Sequence, residues 1–233
     1  MAPVLIPLVL QTLLGYPALR AGIAMAPRGL GSFIAMPVVG LIMGRFDARK
    51  MLTVGMLVCA TTLWQLSRLN LQAGYWDYFW PQFEMGLALG LVFVPLTTIT
   101  MGPIPKETMG NATSLFNLVR NLGGSIGISA VNTVQIRREQ ANIDILGRHV
   151  NPYDASSRQM FSALQKMFLS RGGDMVSAAH QARETLFRMV QQQASMLAYN
   201  TVFRLLAGLF LFLIPFIFLM HRPGSKGAPA AMH

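Results

Sequence analysis

The chain has one cysteine, little charge and few acids. With Cys59 alone, an intrachain disulfide and a multi-cysteine metal centre are both excluded. Charged residues make up 12% of the sequence, about half the share of a soluble domain and too little to clothe a water-facing surface. HExxH and any cluster of Cys or His are missing, and His149, His180, His221 and His233 all fall outside the long apolar runs. No metal, cofactor or catalytic residue is therefore expected. A basic N-terminal stretch and a small-residue cleavage site are lacking too, so the opening residues are expected to be the rest of a longer helix and not a signal peptide.

What is present is hydrophobic: 53% of the residues. A membrane helix needs roughly 20 mostly apolar residues, and the runs predict an all-α integral membrane fold of six spans. These fall at about 2–14, 22–43, 51–66, 78–101, 112–134 and 199–220. The first is too short to cross alone and holds Pro3 and Pro7, so it is expected to be truncated. Gly44 to Lys50 (GRFDARK) is a charged turn, and Tyr75, Trp76, Tyr78 and Trp80 cluster where an interfacial aromatic belt would lie. Pro95 is expected to kink the fourth span, and Pro215 interrupts the last.

Residues 1–136 thus hold the first five spans, and 137–198 form a long extramembrane loop, expected to be periplasmic and helical. Asp154 is placed to cap a helix whose Met160, Phe161, Leu164, Met167 and Phe168 share a face, with Gly172 and Gly173 as its stop. Asp174 is placed to cap a second helix running into the last span. Such a pair either packs on the rim or offers a docking surface to a partner protein.

The net charge of +10 would suit nucleic acid, but the Lys and Arg residues lie mainly between the apolar runs, so the bilayer and not nucleic acid is the expected partner. Short segments place Arg45, Arg49, Lys50, Lys106, Arg222 and Lys226 on one side and Arg20 and Arg68 on the other. That puts the tail, 221–233, in the cytoplasm. Arg137 and Arg138 would reverse the vote, but long segments translocate largely regardless of charge.

The fifth span carries the most informative pattern. Asn117, Asn121, Ser125, Ser129 and Asn132 recur every three to four residues, with Arg120 beside them and Gly124 on the same side. Such a stripe must face other helices or a water-filled cavity. Arg28, about 9 Å into its span by helix rise, and Arg120, about 12 Å in, could bind an anionic group or pair with Glu84. Glu84 is also the candidate proton carrier at membrane depth. Small-xxx-small spacings at Gly40/Gly44, Gly86/Gly90 and Gly123/Gly127 permit close helix approach. Gly123 to Gly127 formally matches G-x-S-x-G, yet no histidine falls in the spans to activate Ser125. Asn111-Ala112-Thr113 is a formal glycosylation acceptor on the expected cytoplasmic side.

With these features in hand, the sequence resembles the fourteen-span drug:proton antiporters of the major facilitator superfamily, the EmrB/QacA type. The resemblance covers essentially the whole chain and rests on LLGYPALRAGIAMAPRGLG at 13–31, GRFDARK at 44–50, FVPLTT at 93–98 and SLFNLVRNLGGSIGIS at 114–129. It implies that the spans form the C-terminal bundle of a major facilitator fold. It further implies that Gly40, Arg45, Asp47, Arg49 and Lys50 belong to a cytoplasmic loop motif whose charges latch the bundle, with Gly44 standing where an acid is usual. Arg28 and the stripe of the fifth span would face the cavity.

The key proton-coupling acids and antiporter signature of that family lie in an N-terminal half, so that half is an expected partner. Amphipathic drug-like substrates, protons and, in two-membrane bacteria, a periplasmic adaptor protein are the others. The expected location is the bacterial inner membrane. Half of a proton-coupled multidrug exporter, inactive alone, is the leading reading. A membrane assembly fragment without transport and an intramembrane serine protease are the competitors.

Overall fold

The computed structural model describes residues 17–150, 154–170 and 172–219; the expected first span at 2–14 and the tail at 221–233 lie outside them. The described elements are all helical: α1 (Ala18–Ile42), α2 (Ala48–Leu66), α3 (Tyr75–Met101), a 3-10 turn (Lys106–Thr108), α4 (Met109–His149), α5 (Ala155–Ser170) and α6 (Met175–Leu219). Three stretches are long and apolar enough to cross a membrane: Leu19–Ile42, Tyr75–Met101 and Met175–Leu219. Basic residues at the start of α2 and the Asn and Ser residues of α4 leave those two helices less apolar. Helix α4 runs unbroken past Val134 to His149. At 41 and 45 residues, α4 and α6 are each about 60 Å or more long, roughly twice the thickness of a hydrocarbon layer.

The chain divides into two compact units. One includes Gly22–Leu66, Gly74–Ile126 and the chain from Arg204. Its organising element is α3, which receives α1 on one flank and α2 on another at glycines. A Cβ on Gly86 would meet the Arg28 carbonyl and would lie 2.9 Å from the Ser32 nitrogen and 3.0 Å from the Gly31 Cα. One on Gly90 would sit 2.5 Å from the Ala35 Cβ, and one on Gly55 of α2 would sit 2.9 Å from the Leu91 Cβ. Small residues therefore let backbones touch, the packing mode of helices whose surroundings are as apolar as their side chains. Gly31 and Ala35 complete the small-xxx-small match to Gly86 and Gly90, whereas Gly40, Gly44 and Gly123 face open space.

The outside of α1 is greasier than its inside: Ala24, Gly31, Ala35 and Val39 are buried, while Phe33 is 78% and Leu41 82% exposed. A helix that hides its small residues and shows its large apolar ones suits lipid. At the start of α3, Tyr75, Trp76, Phe79, Trp80 and Phe83 form a chain of edge-on and tilted ring contacts, with centroids 5.2–6.5 Å apart.

The second unit includes Ser67–Ala73 and Gly127–Phe203. Here α4 and α6 run antiparallel. Asn142 Nδ2 donates to the Ala194 carbonyl at 3.1 Å, and the Ser195 hydroxyl donates to Glu139. Asn200 Nδ2 donates to the Leu69 carbonyl at 3.0 Å, tying α6 to the α2–α3 connection. Ala178 and Ala182 are fully buried on one face of α6, and Ala194 and Ala198, about four turns further on, are fully buried on another.

Asp154 caps α5 as its position predicts: its Oδ2 accepts the Ser157 N–H and hydroxyl, each at 3.1 Å, and these bonds hold the carboxyl below its ordinary range. Gly172, at φ +87°, ends the turn after α5 in the left-handed region, and the Gly173 N–H closes on the Phe168 carbonyl at 3.3 Å. Asp174 Oδ1 accepts the Met175 N–H at 2.7 Å at the start of α6.

Candidate functional site

Within the unit built on α3, the polar residues expected to carry function fall into three settings. The first is a pinned acid. Glu84, half-buried on α3, accepts a hydrogen bond from Gln65 Nε2 at 2.9 Å and one from the Thr62 hydroxyl at 3.4 Å, both from α2. Thr62 is fully buried and also bonds the Val58 carbonyl at 2.8 Å. The carboxylate is thus held by neutral donors, and neither Arg28 nor Arg120 pairs with it, although the sequence left that pairing open.

The second setting is a cation among apolar groups. Arg28, between Pro27 and Gly29 on α1, is half-buried, and its Nη1 is shut off from solvent without a hydrogen-bond partner. It lies near enough to Cys59 of α2 for an electrostatic interaction. Sequence reasoning missed another buried polar side chain, that of Gln82 on α3. Its side chain is fully buried, and neither amide atom has a partner. A buried amide without partners is costly. The available signal was an amide residue set between Pro81 and Phe83 in a mostly apolar helix.

The third setting is the stripe of α4. Asn117, Arg120, Asn121 and Ser125 are all exposed. The guanidinium of Arg120 lies 5.6 Å from the centroid of the Phe93 ring of α3, within cation–π range. The Ser125 hydroxyl donates back to the Asn121 carbonyl at 3.0 Å, the usual self-satisfying bond of a helical serine and not the posture of a nucleophile awaiting a base. Ser129 and Asn132, on the part of α4 that belongs to the other unit, are also exposed.

The loop motif has a local job. Asp47 Oδ1 accepts the Arg49 N–H at 3.1 Å and so caps α2, while Arg45 and Lys50 are exposed and Arg49 is half-buried. Gly40 presents an open face. Among the described residues no cluster of His, Cys, Asp and Glu could hold a metal ion.

A second polar group that sequence reasoning missed lies in the other unit. Glu139, half-buried on α4, receives the Ser195 hydroxyl of α6 and Gln135 Nε2 at 3.4 Å, close to the buried Tyr199. In sequence it sits beside Arg137 and Arg138, where an acid looks like ordinary surface charge; the packing of α6 encloses it.

Comparison with known proteins places this geometry in context. Residues 1–128 match the Major Facilitator Superfamily. The multidrug export protein EmrB of Escherichia coli strain K12 is 31% identical over 234 residues, covering 100% of this chain and 44% of that protein. EmrB of Haemophilus influenzae is 33% identical over 221 residues, covering 94% of the chain and 42% of the relative. The fatty acid resistance protein FarB of Neisseria gonorrhoeae is 31% identical over 223 residues, covering 96% and 42%. The chain therefore spans less than half the length of these relatives. That family match takes in more than half of the residues: the chain belongs to the Major Facilitator Superfamily.

Proposed function

We propose that this chain supplies the C-terminal six-span bundle of a proton-coupled multidrug exporter and acts by alternating access together with an N-terminal half. The observation that carries the reading is the exposed stripe of α4. Asn117, Arg120, Asn121 and Ser125 make no ion pair and turn polar groups outward from a helix otherwise lined by exposed Leu115, Leu118, Leu122 and Ile126. A charged residue on such a helix needs a water-filled face, and a second bundle closing over the stripe creates one. Similarity along the whole chain to proteins named for multidrug export supports the choice of cargo.

In this reading Arg28 and the stripe, including Ser129 and Asn132, line the substrate path, and Glu84 is the proton-carrier candidate. Gly40, Arg45, Asp47, Arg49 and Lys50 form the cytoplasmic loop that latches the bundle. The inner membrane of a bacterium is the site of action, with residues 137–198 on the periplasmic side, where an adaptor protein would dock. The test is proton-dependent dye efflux from cells making the chain alone or joined to an N-terminal half. Efflux is expected only from the joined form and is expected to fall at least about tenfold in Arg120→Ala, a loss of the size that removing one charged contact gives. Efflux from the chain alone, or undiminished efflux in the variant, would refute the reading.

A further inference from the structure

The unit that holds the ends of α4, α5 and α6 contains a cavity of about 640 Å³ that the transport reading does not use. Its size falls within the roughly 300–1,000 Å³ range of small-molecule pockets. Ile143 of α4, Phe161 of α5, and Leu186 and Val190 of α6 supply an apolar wall. Arg158 of α5 and Arg183 of α6, both exposed, line the same cavity. The Arg183 guanidinium lies over the Phe161 ring, 6.0 Å from its centroid, which fixes a cation against the apolar wall.

Asp154 and Glu184 form no ion pair with these cations. Asp154 is occupied by the Ser157 N–H and hydroxyl, and Glu184 pairs with Arg188 at 2.6 Å. Neither Arg158 nor Arg183 forms an ion pair among the described residues. Across residues 137–198 there are eight Lys or Arg against five Asp or Glu, so the local field favours an anion. The wall offers few hydrogen-bonding groups, which disfavours a sugar or a nucleotide, whose many polar atoms would go unpaired.

We infer that this cavity binds an acyl chain carrying an anionic head group, with the chain against Ile143, Phe161, Leu186 and Val190 and the head on Arg158 and Arg183. The site shares no residue with the polar stripe and does not depend on the transport reading. Two sources share that chemistry, a free fatty acid and an acidic phospholipid of the surrounding bilayer.

The test is photolabelling of the full chain, in nanodiscs of phosphatidylcholine, with palmitic acid bearing a diazirine, followed by peptide mapping. Label is expected within residues 143–190, competed by palmitate and about tenfold less well by the uncharged hexadecanol. Arg158→Gln with Arg183→Gln is expected to cut labelling at least about tenfold, and Lys166→Gln, an exposed α5 cation outside the cavity, is expected to leave it unchanged. Because Arg183 packs on Phe161, Arg158→Gln alone serves as the second variant, with helix content checked by circular dichroism. Displacement by palmitate but not by added phosphatidylglycerol identifies a free fatty acid as the occupant; displacement by phosphatidylglycerol identifies a bilayer lipid. Label confined to 18–134 and 199–219, equal competition by hexadecanol, or labelling unchanged in the folded arginine variants would overturn the assignment.

Discussion

Replacing Gly86 by alanine tests the α1–α3 contact at its tightest point. The added methyl group would press on the Arg28 carbonyl, on the Ser32 nitrogen 2.9 Å away and on the Gly31 Cα 3.0 Å away. All three are backbone atoms, so no side-chain rotation relieves the clash, and α1 must move as a body. Overpacking of this kind costs about 1–3 kcal/mol, and the rigidity of the neighbours argues for the upper end. A chain of this size loses roughly 2–4 °C of Tm per kcal/mol, which gives a fall of about 5–10 °C. Gly123→Ala is the control. Its Cβ meets nothing within 4 Å, and alanine favours helix over glycine by about 1 kcal/mol, so its Tm should hold or rise.

Cys59 makes the assay simple, because the one thiol is buried on α2 at 3% exposure. A maleimide dye that fluoresces on thiol capture then reports the opening of this unit during heating. If Gly86→Ala melts no lower than Gly123→Ala, the helices do not meet at these glycines and the packing argument fails.

Three further outcomes follow from the geometry. Ser195→Ala leaves the half-buried Glu139 carboxylate without its closest donor, so the α4–α6 pairing should weaken by about 1.5–3 kcal/mol, seen as faster amide exchange across 139–142 and 194–198; an unchanged exchange rate would remove that bond from the account. The Asp154 carboxyl is held low by the Ser157 bonds, so its capping is present above the ordinary carboxylate pKa of 3.8 and is lost as pH falls through the lower folded value. Protection of α5 amides, taken relative to the intrinsic exchange rate at each pH, should therefore fall below about pH 3.8 in the native protein and be low and flat with pH in Asp154→Ala. In the exporter joined to its N-terminal half, Glu84→Gln should preserve folding, because an amide can still accept from Gln65, while lowering proton-driven efflux; equal efflux in the variant would take Glu84 out of the proton path.

Much of the helical layout was legible before any coordinates. The breaks between apolar runs, at GRFDARK, at the polar stretch before Tyr75 and at Pro103 and Pro105, lie at or between the ends of the helices found. Caps are local chemistry, so Asp154 and the Gly172–Gly173 stop could be placed from sequence alone. The far end of α4 was harder to see. Past Val134 the apolar pattern fades, but helix propensity carries the backbone on through Arg137 and Arg138 to His149.

For the candidate site the division is sharper. Sequence by itself determined that an arginine stands in a polar stripe on α4 and that Glu84 and Arg28 sit in apolar runs, since helical periodicity fixes which residues share a face. It could not say whether the charges meet. Tertiary structure decided that Glu84 is held by Gln65 and Thr62, that Arg120 rests on Phe93, and that Gln82 is sealed without a partner. The same holds for the glycines: three pairs share one spacing, but Gly86 and Gly90 alone among the pairs described carry a neighbouring backbone against them. Spacing is a property of one helix, whereas contact depends on the rotation and height at which a second helix arrives, and that is set by the packing of the whole unit.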